Sequence, residues 1–287
     1  MLLPYWRSFP NLAFFNYVAP DDPELTEIFQ DLRFRQAVSL AIDRDEMNEA
    51  LYLNLGKPIQ YSPSPSSPWY REEFAQASAA YDPDQANALL DEMGIKWEAG
   101  KDFRTRPNGE PFKIDFTAVN YDPWRRDHEM LQQYWKEIGI DVQMRTVDGG
   151  AYWSLYGGQQ IESTVNWSNE PEPTDRGQYS HPARLVPGWA TWVSSNGERG
   201  VEPPQWVQDV YTARDVMFST ADKQEQLEAG FKISEAQAKY LWYIGTVGRL
   251  PVPAVYSLRM GNIGIAEEMG VHSYMVQEFA PQWFIKQ

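Results

Sequence analysis

Residues Asp31-Leu-Arg-Phe-Arg-Gln-Ala-Val-Ser-Leu-Ala-Ile-Asp43-Arg-Asp-Glu46 decide the reading of this chain. Phe34, Ala37, Val38 and Ala41 recur at i, i+3, i+4 and i+7, so they share one apolar face of a helix. Asp43 then offers a carboxylate to the first free amides of a second helix, and Glu46 follows at the capping-box spacing. Met47, Ala50 and Leu51 continue the stripe into that helix. By itself the stretch predicts a packed helical pair running to about Leu55.

On either side the periodicity switches between helix and strand. Residues 11–18 read as a short, aromatic-rich strand. Asp21-Asp22-Pro23 starts a short helix, with proline near its first position. Residues 56–70 (GKPIQYSPSPSSPWY) form a Pro/Ser loop without periodicity, a surface wrap or binding loop. Asp82-Pro83 caps a helix with the stripe Ala86, Leu89, Leu90 and Met93, ended by Gly94. Phe112, Ile114 and Phe116 alternate with polar residues, predicting a strand near 112–119. Asp122-Pro123 caps a helix with the stripe Leu131, Tyr134, Trp135 and Ile138, stopped at Gly139. A second strand follows near 140–147. This strand–helix–strand order implies an α/β lobe with part of its sheet parallel and a right-handed connection. Residues 151–156 read as a short aromatic helix and 161–167 as the next strand. From Ser168 to Pro204 regular signals vanish, and a loop of that length in a compact domain is usually functional. Helices resume at 204–218 and 220–242, the second with Leu227, Phe231, Ser234, Ala238, Leu241 and Trp242 on one face. Residues 243–287 read as strands and turns.

Composition narrows the function. The 287 residues carry a net charge of −15, which argues against nucleic acid, because phosphate neutralisation needs clustered Lys and Arg. An acidic surface mostly reports solubility. No run of about 18 apolar residues exists to span a membrane as a helix. With 0 Cys, disulfides, thiol nucleophiles and thiolate metal sites are all removed. His128, His181 and His272 share no metal-ligand spacing and read as surface or turn residues. There is no Gly-x-Ser-x-Gly elbow and no phosphate loop, so no metal or cofactor is expected. Met1-Leu-Leu-Pro-Tyr-Trp lacks a basic n-region and an apolar h-region, so a signal peptide is not expected here.

In the form D-x-R-x-R-Q-A-x-x-x-A-I-D-R, residues 31–44 resemble a signature of the family 5 extracellular solute-binding proteins, the dipeptide, oligopeptide and oligosaccharide receptors of ABC importers. Asn11 to Ala19 (NLAFFNYVA) is similar to the strand that precedes the signature in that family. Tyr81 to Gly94 is similar to its Y-D-P-x-x-A-x-x-L-L-x-E-x-G helix, and Leu131 to Val142 (LQQYWKEIGIDV) to its helix-to-strand step. The likeness covers most of residues 11–150 in the family's order. It implies the C-terminal lobe of a type II periplasmic-binding-protein (Venus-flytrap) fold, an α/β lobe with a mixed sheet flanked by helices. Residues 1–20 would be a hinge-proximal strand segment, 21–244 the ligand-binding lobe, and 245–287 a segment returning toward an N-terminal lobe missing from this chain. The implied partners are a peptide or oligosaccharide ligand, taken between two lobes, and an ABC permease. The implied setting is the periplasm or cell surface, and the implied activity is binding rather than catalysis.

Twelve tryptophans, counted in the sequence as 12 Trp, suggest where a ligand would lie. Trp135 and Trp242 sit in apolar periodic patterns, as core residues do. Trp69, Trp153, Trp167, Trp189, Trp192 and Trp206 sit in polar, Pro/Gly-rich stretches, where an indole often lines a groove. Trp167 follows a predicted strand and precedes Asn169 and Glu170. In the family a tryptophan at such a strand end walls the pocket, and a nearby acid holds the amino terminus of a peptide. Here Glu170 stands in that acidic place, or Asn169 substitutes for it; a Pro-rich turn with exposed acids is the other reading. Trp189 and Trp192, three apart in the long loop, either present adjacent faces to a ligand or pack the loop onto its own lobe. Tyr152, Trp153 and Tyr156 read as core packing. Asn16 resembles the family's hinge-proximal Asn. Two other functions fit the same residues. One is a carbohydrate-active hydrolase using a carboxylate pair such as Glu170/Glu172 or Glu267/Glu268. The other is a truncated domain that self-associates through exposed apolar surface. Elemental analysis of the purified protein is expected to find no stoichiometric zinc or iron.

Overall fold

The alternating residues near 112–119 become the spine of a five-stranded sheet in the computed structural model of the chain. The structure describes residues 2–7, 12–15, 17, 19, 22–120, 125–158, 160–166, 172–174, 179–253, 257, 259–261 and 284–285. In chain order the elements are β1 (Leu2–Arg7), β2 (Leu12–Phe15), α1 (Pro23–Gln30), α2 (Leu32–Leu40), α3 (Arg44–Tyr52), β3 (Lys57–Pro58), α4 (Glu72–Ala75), α5 (Pro83–Glu92), β4 (Lys113–Val119), α6 (Arg125–Glu137), β5 (Asp141–Val147), α7 (Gly149–Gly157), β6 (Ser163–Asn166), a 3-10 turn (Pro182–Leu185), α8 (Pro187–Ser194), α9 (Gln205–Ser219), α10 (Lys223–Tyr240), β7 (Ile244–Gly245), β8 (Val247–Gly248), β9 (Leu250–Pro253), β10 (Met260–Gly261) and β11 (Phe284–Ile285).

The sheet order is β5-β4-β6-β2-β7. β4 pairs in parallel with β5 over its whole length and with β6 at Phe116 and Ser163. β2 is inserted antiparallel between β6 and β7. The sheet is therefore mixed, with parallel strands on one side and an early strand of the chain closing the other.

Short polar side chains start the helices as their sequence positions require. Asp22, Asp31, Asp43, Asp82, Asp148 and Asp222 each accept from a backbone amide in the first turn of the helix they precede. Glu46 accepts a hydrogen bond from the Tyr134 hydroxyl at 2.7 Å, which joins α3 to α6. Gly139 ends α6 at φ +83°, a left-handed conformation that a side chain resists. A Cβ there would also meet Arg104 at 2.8 Å.

Two apolar cores result. The first lies between the sheet and α1, α2, α3, α5 and α6. At its centre the Phe15 ring lies 4.9 Å from Phe34 and 5.2 Å from Trp135. Trp135 satisfies its indole N–H on the Val38 carbonyl at 2.9 Å. The second core gathers Tyr17, Tyr61, Tyr179 and Trp242 with the buried sides of α8, α9 and α10.

The two buried arginines of the opening stretch tie these layers together. Arg35 donates to the Tyr240 carbonyl at 2.8 Å and the Phe29 carbonyl at 2.9 Å, with its guanidinium over Tyr17. Arg44, only 2% exposed, donates to the carbonyls of Gly245, Ser39 and Ala79 and to the Ser39 hydroxyl. Burial pushes its guanidinium down to about 9, which still leaves it charged at neutral pH.

Several expectations are corrected. Ala50 is exposed; the inner face of α3 is Arg44, Met47 and Asn48. Asn48 is buried because it exchanges two hydrogen bonds with Gly56, at 3.0 and 3.2 Å. The start of the Pro/Ser loop is not surface, since Ile59, Gln60, Tyr61 and Ser62 are all buried. Residues 168–204 are not structureless. They contain the 3-10 turn and α8, each opening on a proline, at a position where the missing N–H has no helical partner to lose. The buried face of α10 is Ala229, Gly230, Ile233, Ser234 and Gln237 rather than the Leu227/Phe231/Ala238 stripe. Gly230 admits the Trp69 ring, which a Cβ would meet at 2.1 Å, and Gln237 donates to the Tyr243 carbonyl at 2.7 Å. His128 is buried on α6 against the Phe116 ring. The predicted cap at Asp122-Pro123 and His272 lie outside the described residues.

Replacing Arg44 by Met would strand carbonyls in an interior where an unmade bond costs about 1–3 kcal/mol. Urea unfolding of Arg44→Met is expected to show a loss on the order of 3 kcal/mol. Arg44→Lys should recover only part of it, because an ammonium cannot span the same acceptors.

Candidate ligand-binding edge

The parallel strands deliver their C-terminal ends to one edge of the sheet. Val119 pairs with Val147, and Phe116 pairs with Ser163, so β6 reaches the same edge at Asn166. Leu12 pairs with both Asn166 and Gly245, which adds the start of β2 and the end of β7. From there the chain continues through β8 into β9, which pairs antiparallel with β1: Leu2 opposite Pro253, Leu3 opposite Val252 and Arg7 opposite Leu250. The strands that lead into and out of the sheet at this edge thus run side by side. In open α/β sheets, ligands bind outside the carboxyl ends of the strands.

Three connections leave this edge. Asn120 donates its amide to the Val147 carbonyl at 2.8 Å, fastening the exit of β4 to that of β5. Asp148 caps α7 by accepting from the Ala151 amide at 3.0 Å. The third connection, after Asn166, carries Trp167, Asn169 and Glu170, which lie outside the described residues.

Asn16 also lies outside them. The strand ends that precede these candidates are opposite ones. β2 ends at Phe15 beside Ser163, the start of β6, whereas β6 ends at Asn166 beside Leu12. Just past the Trp167 segment, Glu172 accepts the Ser67 hydroxyl at 2.7 Å, which holds the Pro/Ser loop beside it.

Trp189 and Trp192 sit on α8 rather than in an irregular loop. Trp189 is 5% exposed, with its ring 5.6 Å from Tyr17 and edge-on to Trp206. Its surface is spent on the second core. Trp192 is half-buried, against Gly197. Trp69 donates its indole N–H to the Leu227 carbonyl at 3.1 Å, and Trp206 stacks with Tyr240 and Trp242 at 4.7 and 5.7 Å. These indoles looked like groove residues because their sequence neighbours are polar. The partners that bury Trp69, Trp189 and Trp206 come from segments distant in the chain.

α7 carries the aromatic group that composition had assigned to packing. The Tyr152 hydroxyl meets Thr164 Oγ1 at 3.1 Å, and that hydroxyl also bonds the Thr117 carbonyl at 2.7 Å. Tyr152 is buried and Tyr156 half-buried, but Trp153 is 44% exposed.

Away from this edge, α9 and α10 flank a groove of about 720 Å³ lined by Trp206, Val210, Ala213, Lys232 and Tyr240 among others. Among the described residues no group of three or more His, Asp or Glu side chains is placed to hold a metal ion, and no helix is long and apolar enough to cross a membrane. Burial is the main cause raising the Tyr134 hydroxyl above its usual range, with Glu46 adding to it; burial likewise raises the Glu162 carboxyl at the start of β6.

Residues 7–182 match the model of bacterial extracellular solute-binding proteins, family 5 Middle. The chain is 25% identical over 142 residues to the dipeptide-binding protein of Escherichia coli (strain K12), an overlap of 50% of this chain and 24% of the relative. Among solved structures it resembles an oligopeptide-binding protein OppA, with a TM-score of 0.82 and 29% identity over 100% of this chain and 48% of that one. A periplasmic binding protein from Agrobacterium fabrum in complex with stachyose shares the fold at a TM-score of 0.70 and 17% identity, covering 86% of this chain and 38% of that one. The chain therefore spans about half the length of the oligopeptide-binding protein, at 48%. With the family match extending over residues 7–182, the mixed sheet and the paired connecting strands, this chain belongs to the family 5 bacterial extracellular solute-binding proteins.

Proposed function

We propose that this chain forms one lobe of the substrate-binding component of an ABC transporter, and that a peptide or oligosaccharide is held at the C-terminal edge of its sheet against a second lobe. One observation supports this reading: the level strand ends at Val119, Val147 and Asn166 share an edge with Leu12 and Gly245, from which the chain leads to the paired strands β1 and β9. Two adjacent strands leaving one edge are a hinge of the kind that closes lobes around a ligand. The names of the relatives support the ligand classes, since they include a dipeptide-binding and an oligopeptide-binding protein, and a structural neighbour holds stachyose. An ABC permease is the partner, and the periplasm or cell surface the setting.

Trp167 is the first ligand contact in this reading, with Asn169 or Glu170 at the polar end of the site. The hydrolase alternative is not favoured: the relatives are named as binding proteins, and Glu172 of the candidate pair is engaged with Ser67.

Calorimetric titration of the full-length receptor with peptides and neutral oligosaccharides tests the proposal. Stacking on an indole contributes on the order of 1 kcal/mol beyond area burial. Trp167→Ala is expected to weaken binding roughly tenfold, the equivalent of about 1.4 kcal/mol. Glu170→Gln should matter far more for a ligand with a free amino group than for a neutral sugar. Unchanged affinity in both variants, with the fold intact by circular dichroism, would place the site elsewhere.

A further inference from the structure

α9 and α10 are consecutive helices joined through Thr220, Ala221 and Asp222, and they pack side by side over the second core. The groove of about 720 Å³ between them lies away from the ligand-binding edge. Its floor is apolar and low. Val210, Ala213 and Ala229 are buried there, Ala236 is half-buried, and the stacked rings of Trp206 and Tyr240 close one end. Small side chains along a helix pair let another helix approach closely.

The rim carries an ordered set of charges. Glu228, Lys232, Glu235 and Lys239 fall at i, i+4, i+7 and i+11, one stripe along α10, and all four are exposed. Within a helix this spacing suits ion pairs between Glu228 and Lys232 and between Glu235 and Lys239. None of the ion pairs among the described residues engages any of the four. Glu228 takes the Gln224 amide at 2.8 Å, and the Lys239 ammonium lies 5.1 Å from the Tyr240 ring centre. The other acids of the groove are held locally, Asp209 by Gln205 at 2.8 Å and Glu225 by Thr220 at 2.5 Å.

The stripe is its own complement. Turned end for end about a point between Ile233 and Ser234, it sets position 228 opposite 239 and position 232 opposite 235, acid against base each time. A two-fold axis repeats every contact, so both pairings occur twice. A parallel arrangement of the same stripe would oppose like charges. Charges that face one another across helices set partner choice and orientation in this way.

We propose that a second copy of this chain occupies the groove. The protein is then a symmetric dimer in which two α9–α10 pairs pack antiparallel as four helices. Glu228 meets the partner's Lys239 and Lys232 meets the partner's Glu235, while the small residues of the floor let the helices close. This goes beyond the ligand-binding reading and does not depend on it. The groove is separate from the strand-end edge, so pairing leaves that edge of each copy open.

Sedimentation velocity of the full-length protein over a dilution series tests the proposal with two variants. Lys232→Glu with Lys239→Glu makes the stripe wholly acidic, and Glu228→Lys with Glu235→Lys makes it wholly basic. All four side chains are exposed, so the fold should persist, which circular dichroism checks. The parent is expected to dimerise reversibly and more weakly as salt is raised. Either variant alone should dimerise at least about tenfold more weakly, since every pairing becomes a repulsion. An equimolar mixture of the two should dimerise as tightly as the parent, because each pairing is again opposite in sign. A parent that stays monomeric overturns the proposal. So does a parent dimer that neither variant weakens, or a mixture of folded variants that stays monomeric.

Discussion

A buried guanidinium organises this lobe. Arg44 sits at the start of α3 and is almost fully enclosed, and among the described residues no carboxylate pairs with it. Its charge is carried by backbone carbonyls from three places: the end of α2, the turn before α5 and strand β7. Leaving a buried cation without such acceptors would be prohibitive, so these segments must converge on it. Ser39 and Gln60 complete the arrangement. Gln60 donates to the Ser39 hydroxyl at 2.7 Å and accepts the Gly245 amide at 2.9 Å. The backbone of β7 lies so close to Gln60 that a Cβ on Gly245 would stand 2.5 Å from the Gln60 carbonyl carbon.

That constraint reaches the binding edge because β7 is the neighbour of β2. Fixing Gly245 fixes the strand beside Leu12, and with it the paired course of β1 and β9. Arg35 acts one layer away. It joins the end of α1 to the end of α10 and lies over Tyr17, where the two cores meet. The arginines of the opening stretch therefore position strands and helices around the site rather than contacting a ligand there.

The two faces of the sheet are built differently, which bears on where rigidity lies. On the first-core side, aromatic rings and α6 enclose Phe116. On the other, α7 rests on hydroxyl contacts among Tyr152, Thr164 and Thr117. A short helix bound by directional bonds holds its side chains in one orientation without burying all of them. Trp153 on this helix is exposed, whereas Trp189, on the similarly short α8, is enclosed by Tyr17 and Trp206.

Much of the fold is legible in the chain read alone. The caps at Asp43 and Asp82, the stops at Gly94 and Gly139, and the alternation in β4 and β5 are local signals. They depend on hydrogen bonds and periodicities within a few residues, so sequence suffices for them. The likeness of residues 31–44 and 81–94 to a known family pointed to the mixed sheet and the kind of lobe. What the sequence could not decide was which polar and aromatic side chains are enclosed. Trp69, Trp189 and Trp206 have polar neighbours in the chain but aromatic or glycine partners from segments far along it. Arg35, Arg44 and Asn48 lie outside the apolar stripes that periodicity marks, and only tertiary structure supplies the carbonyls that let them be buried. The α8 helix was hidden because Pro187 looks like a breaker until its position at a helix start is known. Local bonding is written in local residues, whereas burial is a property of the partner surface, and that surface exists only once the chain has folded.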